Sequence, residues 1–399
     1  MGKELKYEWG EGVFTLLSWF KKDRVKNARV LVAGAGALGN EVVKDLALFG
    51  VGTIYVVDFD RIEISNLTRS VLFREEDAFN HRFKAEVVAQ RAMEINPQIK
   101  VVPIVGNLFS EVGLGVYKSV DVIIGCLDSR LARYQLNRMA MRAGKTWIDG
   151  SIENLTGVVK EYTPGVSCYE CGLSKEEFNI IMLRTGCADV VRSQTSQGRV
   201  ATTPVSASIV GAIQAQEGMK IIHLDEYPDG KLPFTTLQGK MFRYEGLTNT
   251  VNTYRFASWK KNCPAHEQWE NPLQSSLSAK HTVKHVLEEL KRICGTDMIE
   301  INMMNNKFVR RIISDKPEKE FEVMIPESKL DDYISANAEL RKLSYKTVFH
   351  KDFYENIDDS FPFPEMTLES IGIPMYDVLR VSTNKGMFYI ELSADAQNF

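Results

Sequence analysis

Apolar and polar positions switch repeatedly between short runs and helical spacing over the first 150 residues. "VLVA" (30–33) is an unbroken apolar run of strand length, and a 3.6-residue pattern follows from 39 to 49. "GTIYVVDFD" (52–60) reads as a second strand, and "KAEVVAQRAMEINP" (84–97) as a helix stopped at its proline. "IKVVPIV" is a strand. "VDVIIGCLD" (120–128) is a strand buried on both faces, "SRLARYQLNRMAMRAG" (129–144) a helix closed by glycine, and "KTWIDGSI" a strand. Such β-α alternation predicts an α/β domain with a doubly wound, mostly parallel sheet, which takes its ligand at the carboxyl ends of the strands.

The remainder is less regular. Residues 14–26 predict a short amphipathic helix, and 204–222 a long helix whose many small side chains suit close packing against a second subunit. Between them, 172–203 is polar and has no clear period. Residues 224–258 read as β-rich. The polar, serine-rich stretch 266–281 suits a linker, placed at 271–281. The tail, 282–399, opens with a helix, "TVKHVLEELKRICG", and closes with two strands joined at Asn384-Lys385-Gly386, which predicts a small α+β domain. The expected division is 1–270, 271–281 and 282–399.

Composition narrows the function. A chain of 399 residues with 44% apolar and 25% charged positions is globular and holds at least two domains. A net charge of −3 argues against nucleic acid as the main partner, because phosphate neutralisation needs a basic surface. No apolar run is long enough to span a membrane, and "MGKELKYEWGEG" has no apolar signal core. Six cysteines are too sparse for a disulfide scaffold, so a reduced, cytoplasmic setting is expected.

The candidate chemistry begins at Gly34, Gly36 and Gly39, in a strand–turn–helix context that presents backbone amides and a helix N-terminus to phosphate. This motif alone fits NAD and ATP equally. Asp58 and Asp60 end the next strand, where an acid commonly takes a ribose hydroxyl. Asn66, Arg69 and Lys84 follow. A nicotinamide site has no need of such a polar, basic group, whereas a triphosphate does. Asp128, at the end of a buried strand, stands where a magnesium ligand would face the switch point.

With "GAGALGNEVVKDLALFGVGTIYVVDFDRIEISNLTRSVLF", "KAEVVAQRAMEINP" and "GCLDSRLARYQLN", the chain resembles the ThiF/MoeB/HesA adenylation family, which shares its Rossmann-like fold with ubiquitin-activating enzymes, over roughly 28–222. The resemblance implies binding of ATP and magnesium and adenylation of the C-terminal glycine of a ubiquitin-like protein. It implies that Gly34, Gly36 and Gly39 line the phosphates, Asp58 the ribose, and that Asn66, Arg69 and Lys84 contact phosphate while Asp128 holds magnesium. It also implies a homodimer, although the family's arginine-rich segment before the first strand is absent here and Arg24 replaces it poorly by position. The compactness of the chain resembles activators of stand-alone conjugation operons, including those of antiviral defence.

Cys168 and Cys171 in "CYEC" form half of a metal site, and Cys263 and His266 in "NCPAHE" repeat the spacing. Three thiolates and an imidazole complete a closed, structural zinc set. The alternative is two unrelated reduced pairs. Cys126 and Cys294 read as core residues. Cys187 lies in "RTGCADVVRSQTSQGR" near Arg184 and Arg192, and the resemblance places there the nucleophile of thioester-forming relatives; the alternative is a passive cysteine, as in MoeB-like members. Thr202 and Thr203 either assist that thiol or cap a helix. The closing "TLESIGIPMYDVLRV" resembles the ubiquitin-fold domain of ubiquitin-activating enzymes, which implies docking of a conjugating enzyme; the alternative is a dimerising or substrate-clamping domain. The resemblance therefore implies adenylation, thioester formation on Cys187 and transfer to a conjugating enzyme, with sulfur-carrier adenylation as the alternative.

Overall fold

A computed structural model describes residues 13–186, 202–256, 259–304, 306–315, 317–344 and 349–399. The chain divides into two units, one of Met1–Gly106, Ser119–Phe178 and Arg199–Gln268, the other of Asn107–Lys118, Asn179–Gly198 and Trp269–Phe399.

The first unit is built on an eight-stranded sheet in the order β3-β2-β1-β4-β5-β6-β7-β8. The strands are β1 (Arg29–Ala33), β2 (Thr53–Val57), β3 (Lys100–Ile104), β4 (Val122–Gly125), β5 (Trp147–Glu153), β6 (Thr156–Tyr162), β7 (Lys240–Glu245) and β8 (Thr250–Arg255). Strands β1 to β5 pair in parallel, and β6 to β8 continue the sheet antiparallel. The chain moves outward from β1 to β3, then returns to the other side of β1 as β4. The carboxyl ends of β1, β2 and β4 therefore meet at a switch point.

The helices of this unit are α1 (Lys22–Lys26), α2 (Ala37–Phe49), α3 (Glu75–Phe79), α4 (Lys84–Ile95), α6 (Arg130–Ala143), α7 (Lys175–Gly186, which crosses into the second unit) and α8 (Pro204–Ile222). Their ends follow local chemistry. Ser129 Oγ accepts from the Ala132 amide at 3.0 Å and Thr203 Oγ1 from the Ser206 amide at 3.1 Å, while Gly50 and Gly144 close α2 and α6 in the left-handed region. Thr203 is thus a helix cap.

One local expectation is corrected. Residues 14–26 are not one helix: a 3-10 turn (Phe14–Leu16) and α1 are separated by extended backbone at Leu17 and Lys21. The aromatic side chains decide this, with Phe14 stacked on Phe20 at 4.9 Å and Trp19 edge-on to His223 at 5.3 Å. Within the polar segment that begins at 172, Ser174 and Glu177 form a reciprocal cap that starts α7. Two glycines of α8 permit close packing within the chain. A Cβ at Gly211 would lie 2.6 Å from Glu41 of α2, and one at Gly218 would lie 3.1 Å from Ile124 of β4.

The second unit holds α5 (Leu114–Ser119) and a five-stranded sheet in the order β14-β10-β15-β16-β9. Its strands are β9 (Leu273–Gln274), β10 (Ile299–Asn302), β14 (Asn356–Ile357), β15 (Val378–Thr383) and β16 (Gly386–Glu391). The amphipathic helix α9 (Val283–Cys294) buries Val283, Val286, Leu287 and Leu290 in this unit's core. Between β10 and β14 runs a second, antiparallel sheet of β11 (Phe308–Asp315), β12 (Glu318–Pro326) and β13 (Phe349–Tyr354), with α10 (Leu330–Ala336) and α11 (Ala338–Ser344). A short helix, α12 (Leu368–Ile371), precedes β15. The segment read as a linker, 271–281, contains β9, and its Leu277 and Ala279 are buried. The Asp395 carboxylate accepts from Ser278 Oγ at 2.5 Å and the Ala279 amide at 2.9 Å. Among the described residues, no helix is long and apolar enough to cross a membrane.

Candidate nucleotide site and cysteine–histidine cluster

The glycine loop lies directly after β1. Gly34 has φ +100°, and its amide donates to the Val57 carbonyl at 2.8 Å. A Cβ at Gly34 would stand 2.5 Å from the Cys126 carbonyl oxygen, and one at Gly39 would stand 2.0 Å from the Gly34 carbonyl oxygen. Only glycine permits this turn. A Cβ at Gly36 would meet no described atom within 4 Å, so that face of the loop is open. Gly36 caps α2 without a side-chain acceptor, which leaves the first helical amides and the positive end of the helix dipole at the cleft.

Asp58, at the end of β2, ties this loop down. Its Oδ2 accepts from the Ala35 amide at 2.7 Å and its Oδ1 from the Asp60 amide at 2.8 Å. Burial pushes the Asp58 carboxyl upward, against the pull of Lys84 and the two amides. Each oxygen keeps a lone pair for a further donor such as a hydroxyl. Lys84, the first residue of α4, sits 2.6 Å from Asp60. Asn66 and Arg69 share the loop that follows β2, with their side chains bound to its own backbone. Asn66 Oδ1 accepts from the Glu63 amide at 2.9 Å, and Arg69 Nη1 donates to the Ser65 carbonyl at 2.8 Å. Asp128 is exposed just beyond β4, on the opposite side of β1 from Asp58. One exposed carboxylate beside an anion-binding loop suits magnesium, which binds through few carboxylates plus phosphate oxygens.

Cys187 and Arg192 lie outside the described residues, and of Arg184 only its place in α7 is described. Arg24 is engaged within its own chain, 2.6 Å from Asp121. Cys126 is packed under the glycine loop, where burial raises its thiol pKa, as expected of a core residue.

The four metal-ligand candidates converge. The ligand atoms of Cys168, Cys171, Cys263 and His266 lie within 4.8 Å of one another. Asn137 Nδ2 donates to Cys168 Sγ at 3.3 Å, and the Lys260 amide to Cys171 Sγ at 3.3 Å. Burial raises the Cys168 thiol pKa, and the Asn137 bond opposes that rise. Burial lowers the His266 pKa, which keeps the imidazole neutral, and Trp259 stacks on its ring with centroids 3.2 Å apart. His266 Nδ1 is buried without a hydrogen-bond partner. The donor set, three sulfurs and one nitrogen, is that of a closed tetrahedral zinc site.

A family model described as the ThiF family matches residues 14–265. The chain belongs to the ThiF family. It is 31% identical over 207 residues to a sulfur carrier protein adenylyltransferase of Thermus thermophilus, covering 50% of this chain and 71% of that protein. It is 30% identical over 241 residues to a SAMP-activating enzyme E1 of Haloferax volcanii, covering 60% and 81%. It is 34% identical over 157 residues to the SUMO-activating enzyme subunit uba-2 of Caenorhabditis elegans, covering 39% and 27%. The chain spans 25% to 51% of the length of several other curated relatives it matches.

Two further residues of this ThiF-family domain support the site. Arg133 on α6 pairs with buried Asp149 at 2.7 Å and donates to the Leu127 carbonyl at 2.6 Å, which braces the turn that carries Asp128. Asn137, one turn on, donates to Cys168 while its Oδ1 accepts from the Tyr169 amide at 2.9 Å. Helix α6 thereby supports both sites. The available signal was a polar pair at i and i+4 flanking buried Leu136.

Proposed function

We propose that this chain adenylates the C-terminal glycine of a ubiquitin-like protein, using ATP and magnesium, and passes the acyl group to Cys187 and then to a conjugating enzyme. The observation that carries the reading is the open glycine loop at the switch point, flanked by Asp58 and Asp128 and bordered by Lys84. A carboxylate oxygen of the modifier's terminal glycine attacks the α-phosphorus, and the bond to the β-phosphate bridging oxygen breaks to release pyrophosphate. The amides at the start of α2, with Arg69 and Lys84, stabilise the charge that develops on the phosphates. Magnesium held at Asp128 would neutralise charge on the leaving pyrophosphate. The Cys187 thiolate then attacks the acyl carbon, and the bond from that carbon to AMP breaks. Asp58 holds the ribose. A zinc ion held by Cys168, Cys171, Cys263 and His266 would act structurally.

The second unit supports the conjugating-enzyme reading through its order of elements: helix α9, strands β10 and β14, short helix α12 and strand β15. In this reading 282–399 is a ubiquitin-fold-like domain, and the enzyme works as a cytoplasmic homodimer. A second reading, sulfur-carrier adenylation without a thioester, is favoured by the similarity to the Thermus thermophilus adenylyltransferase. Magnesium-dependent ATP–pyrophosphate exchange, measured with candidate modifiers ending in glycine, tests adenylation, and Asp128→Asn should abolish it. A reducible adduct seen in the wild type and lost in Cys187→Ala, with exchange intact, selects the first reading. Exchange without any adduct selects the second.

A further inference from the structure

We propose that Asn40 is a positioning residue for phosphate binding, one that aims two backbone amides into the cleft and couples the glycine loop to the loop that carries Asn66 and Arg69. This inference rests on the nucleotide-binding reading of the site. Asn40 is fully buried on the second turn of α2, in a helix whose other buried positions are mostly apolar. A buried amide in such a place needs a reason, since leaving its polar atoms unpaired would be costly.

All of its bonds are to backbone. Nδ2 donates to the Ala35 carbonyl at 2.9 Å and to the Gly36 carbonyl at 2.9 Å. Oδ1 accepts from the Leu72 amide at 2.9 Å. The two carbonyls and the one amide fix which end of the side chain is which. In a trans peptide the C=O and the following N–H point in opposite directions. Drawing the Ala35 and Gly36 carbonyls toward the Asn40 side chain therefore turns the amides of Gly36 and Ala37 away from it. The preceding amide, of Ala35, is taken by Asp58. Asp58 and Asn40 thus hold successive peptide planes and leave two adjacent amides as donors for an anion.

The Leu72 bond adds a second effect. Leu72 lies three residues beyond Arg69, so one side chain sets the spacing between the amide donors and that loop. Serine or alanine at position 40 cannot make all three bonds, and aspartate would set an acceptor against two carbonyls.

The test is calorimetric binding of ATP and of adenosine to the wild type, Asn40→Ala and Asn40→Ser, with thermal melts to verify folding. Because adenosine lacks phosphate, the ratio of the two affinities isolates the phosphate contribution. The expected result is a fall in that ratio of about tenfold or more in Asn40→Ala, with adenosine affinity nearly unchanged. Asn40→Ser, which can still bond the Gly36 carbonyl within the helix, should fold if alanine does not and should lose the Leu72 contribution. An unchanged ratio in a folded variant overturns the inference while leaving the nucleotide site standing. A wild type that binds no ATP overturns the site reading and the inference with it.

Discussion

Lys84 Nζ lies 2.6 Å from Asp60 Oδ2, and the Lys84 amide donates to the Asp60 carbonyl at 2.9 Å. Backbone and side chain together hold this pair at the start of α4. The Asp60 amide in turn donates to Asp58, so the acid behind the glycine loop and the cation at its rim form one chain of contacts. The lysine is mostly covered and its partner half-exposed, at 12% and 50% side-chain exposure.

Lys84→Met should therefore lower kcat/KM for ATP–pyrophosphate exchange by roughly 10²–10³-fold, the usual loss when one donor to a developing charge is removed. The effect should fall on kcat rather than on the KM for the modifier. Exchange kinetics at saturating modifier check this. Wild-type kcat in the variant would remove Lys84 from the transition state.

The cysteine–histidine cluster predicts about one zinc per chain by metal analysis. Cys263→Ser should lose the metal and His266→Cys should keep it, because thiolate and imidazole both suit tetrahedral zinc. Chelation should lower the melting temperature by roughly 5 °C or more. Stoichiometric purification without metal, with no change in melting on adding zinc, would contradict the assignment.

Glu161 is buried on β6, with Oε1 accepting from Thr163 Oγ1 at 3.1 Å and Oε2 without a partner. Burial chiefly, with the Glu217 charge adding to it and the Thr163 bond opposing it, raises its pKa from 4.5 to about 7. The folded chain then binds this proton more tightly than the unfolded one. The resulting stability is complete below 4.5 and is lost as pH rises through about 7. Glu161→Gln should flatten this slope and raise stability at pH 8 by roughly 1–3 kcal/mol. Denaturant melts at pH 5 and pH 8 measure it, and parallel slopes for both proteins would refute it.

His223 gives the opposite sign. Its Nδ1 donates to the Met219 carbonyl at 2.7 Å and its Nε2 accepts from the Lys21 amide at 3.0 Å, so the neutral ring anchors the segment before α1. Burial lowers its pKa from 6.5. The unfolded chain binds the proton more readily, so this stability is complete above 6.5 and is lost as pH falls through the folded value. His223→Gln should show a smaller drop in melting temperature between pH 7.5 and pH 5.5 than the wild type does.

Local chemistry wrote much of this molecule plainly. The strand–glycine–helix unit, the stop of α4 before Pro97, the caps of α6 and α8, and the turn between β15 and β16 follow from periods and residue types within a few positions. The start of α7 was also written locally, in Ser174 and Glu177, but the weak apolar period of that helix hid it. The break within 14–26 was not, because its cause lies in aromatic partners as distant as His223.

Sequence by itself determined that the chain is α/β, carries a strand–glycine–helix turn and holds two ligand-spaced pairs, because these depend on backbone freedom, periodicity and donor chemistry at short range. Only the tertiary structure decided that Cys171 and His266, 95 residues apart, come within 3.3 Å. Only the tertiary structure placed Asn40 and Arg133 behind the site, and 107–118 with the tail, where the Leu114 amide donates to Asp377 at 2.8 Å. The physical reason is that a buried polar group takes its meaning from the partner that satisfies it, and packing, not spacing along the chain, selects that partner.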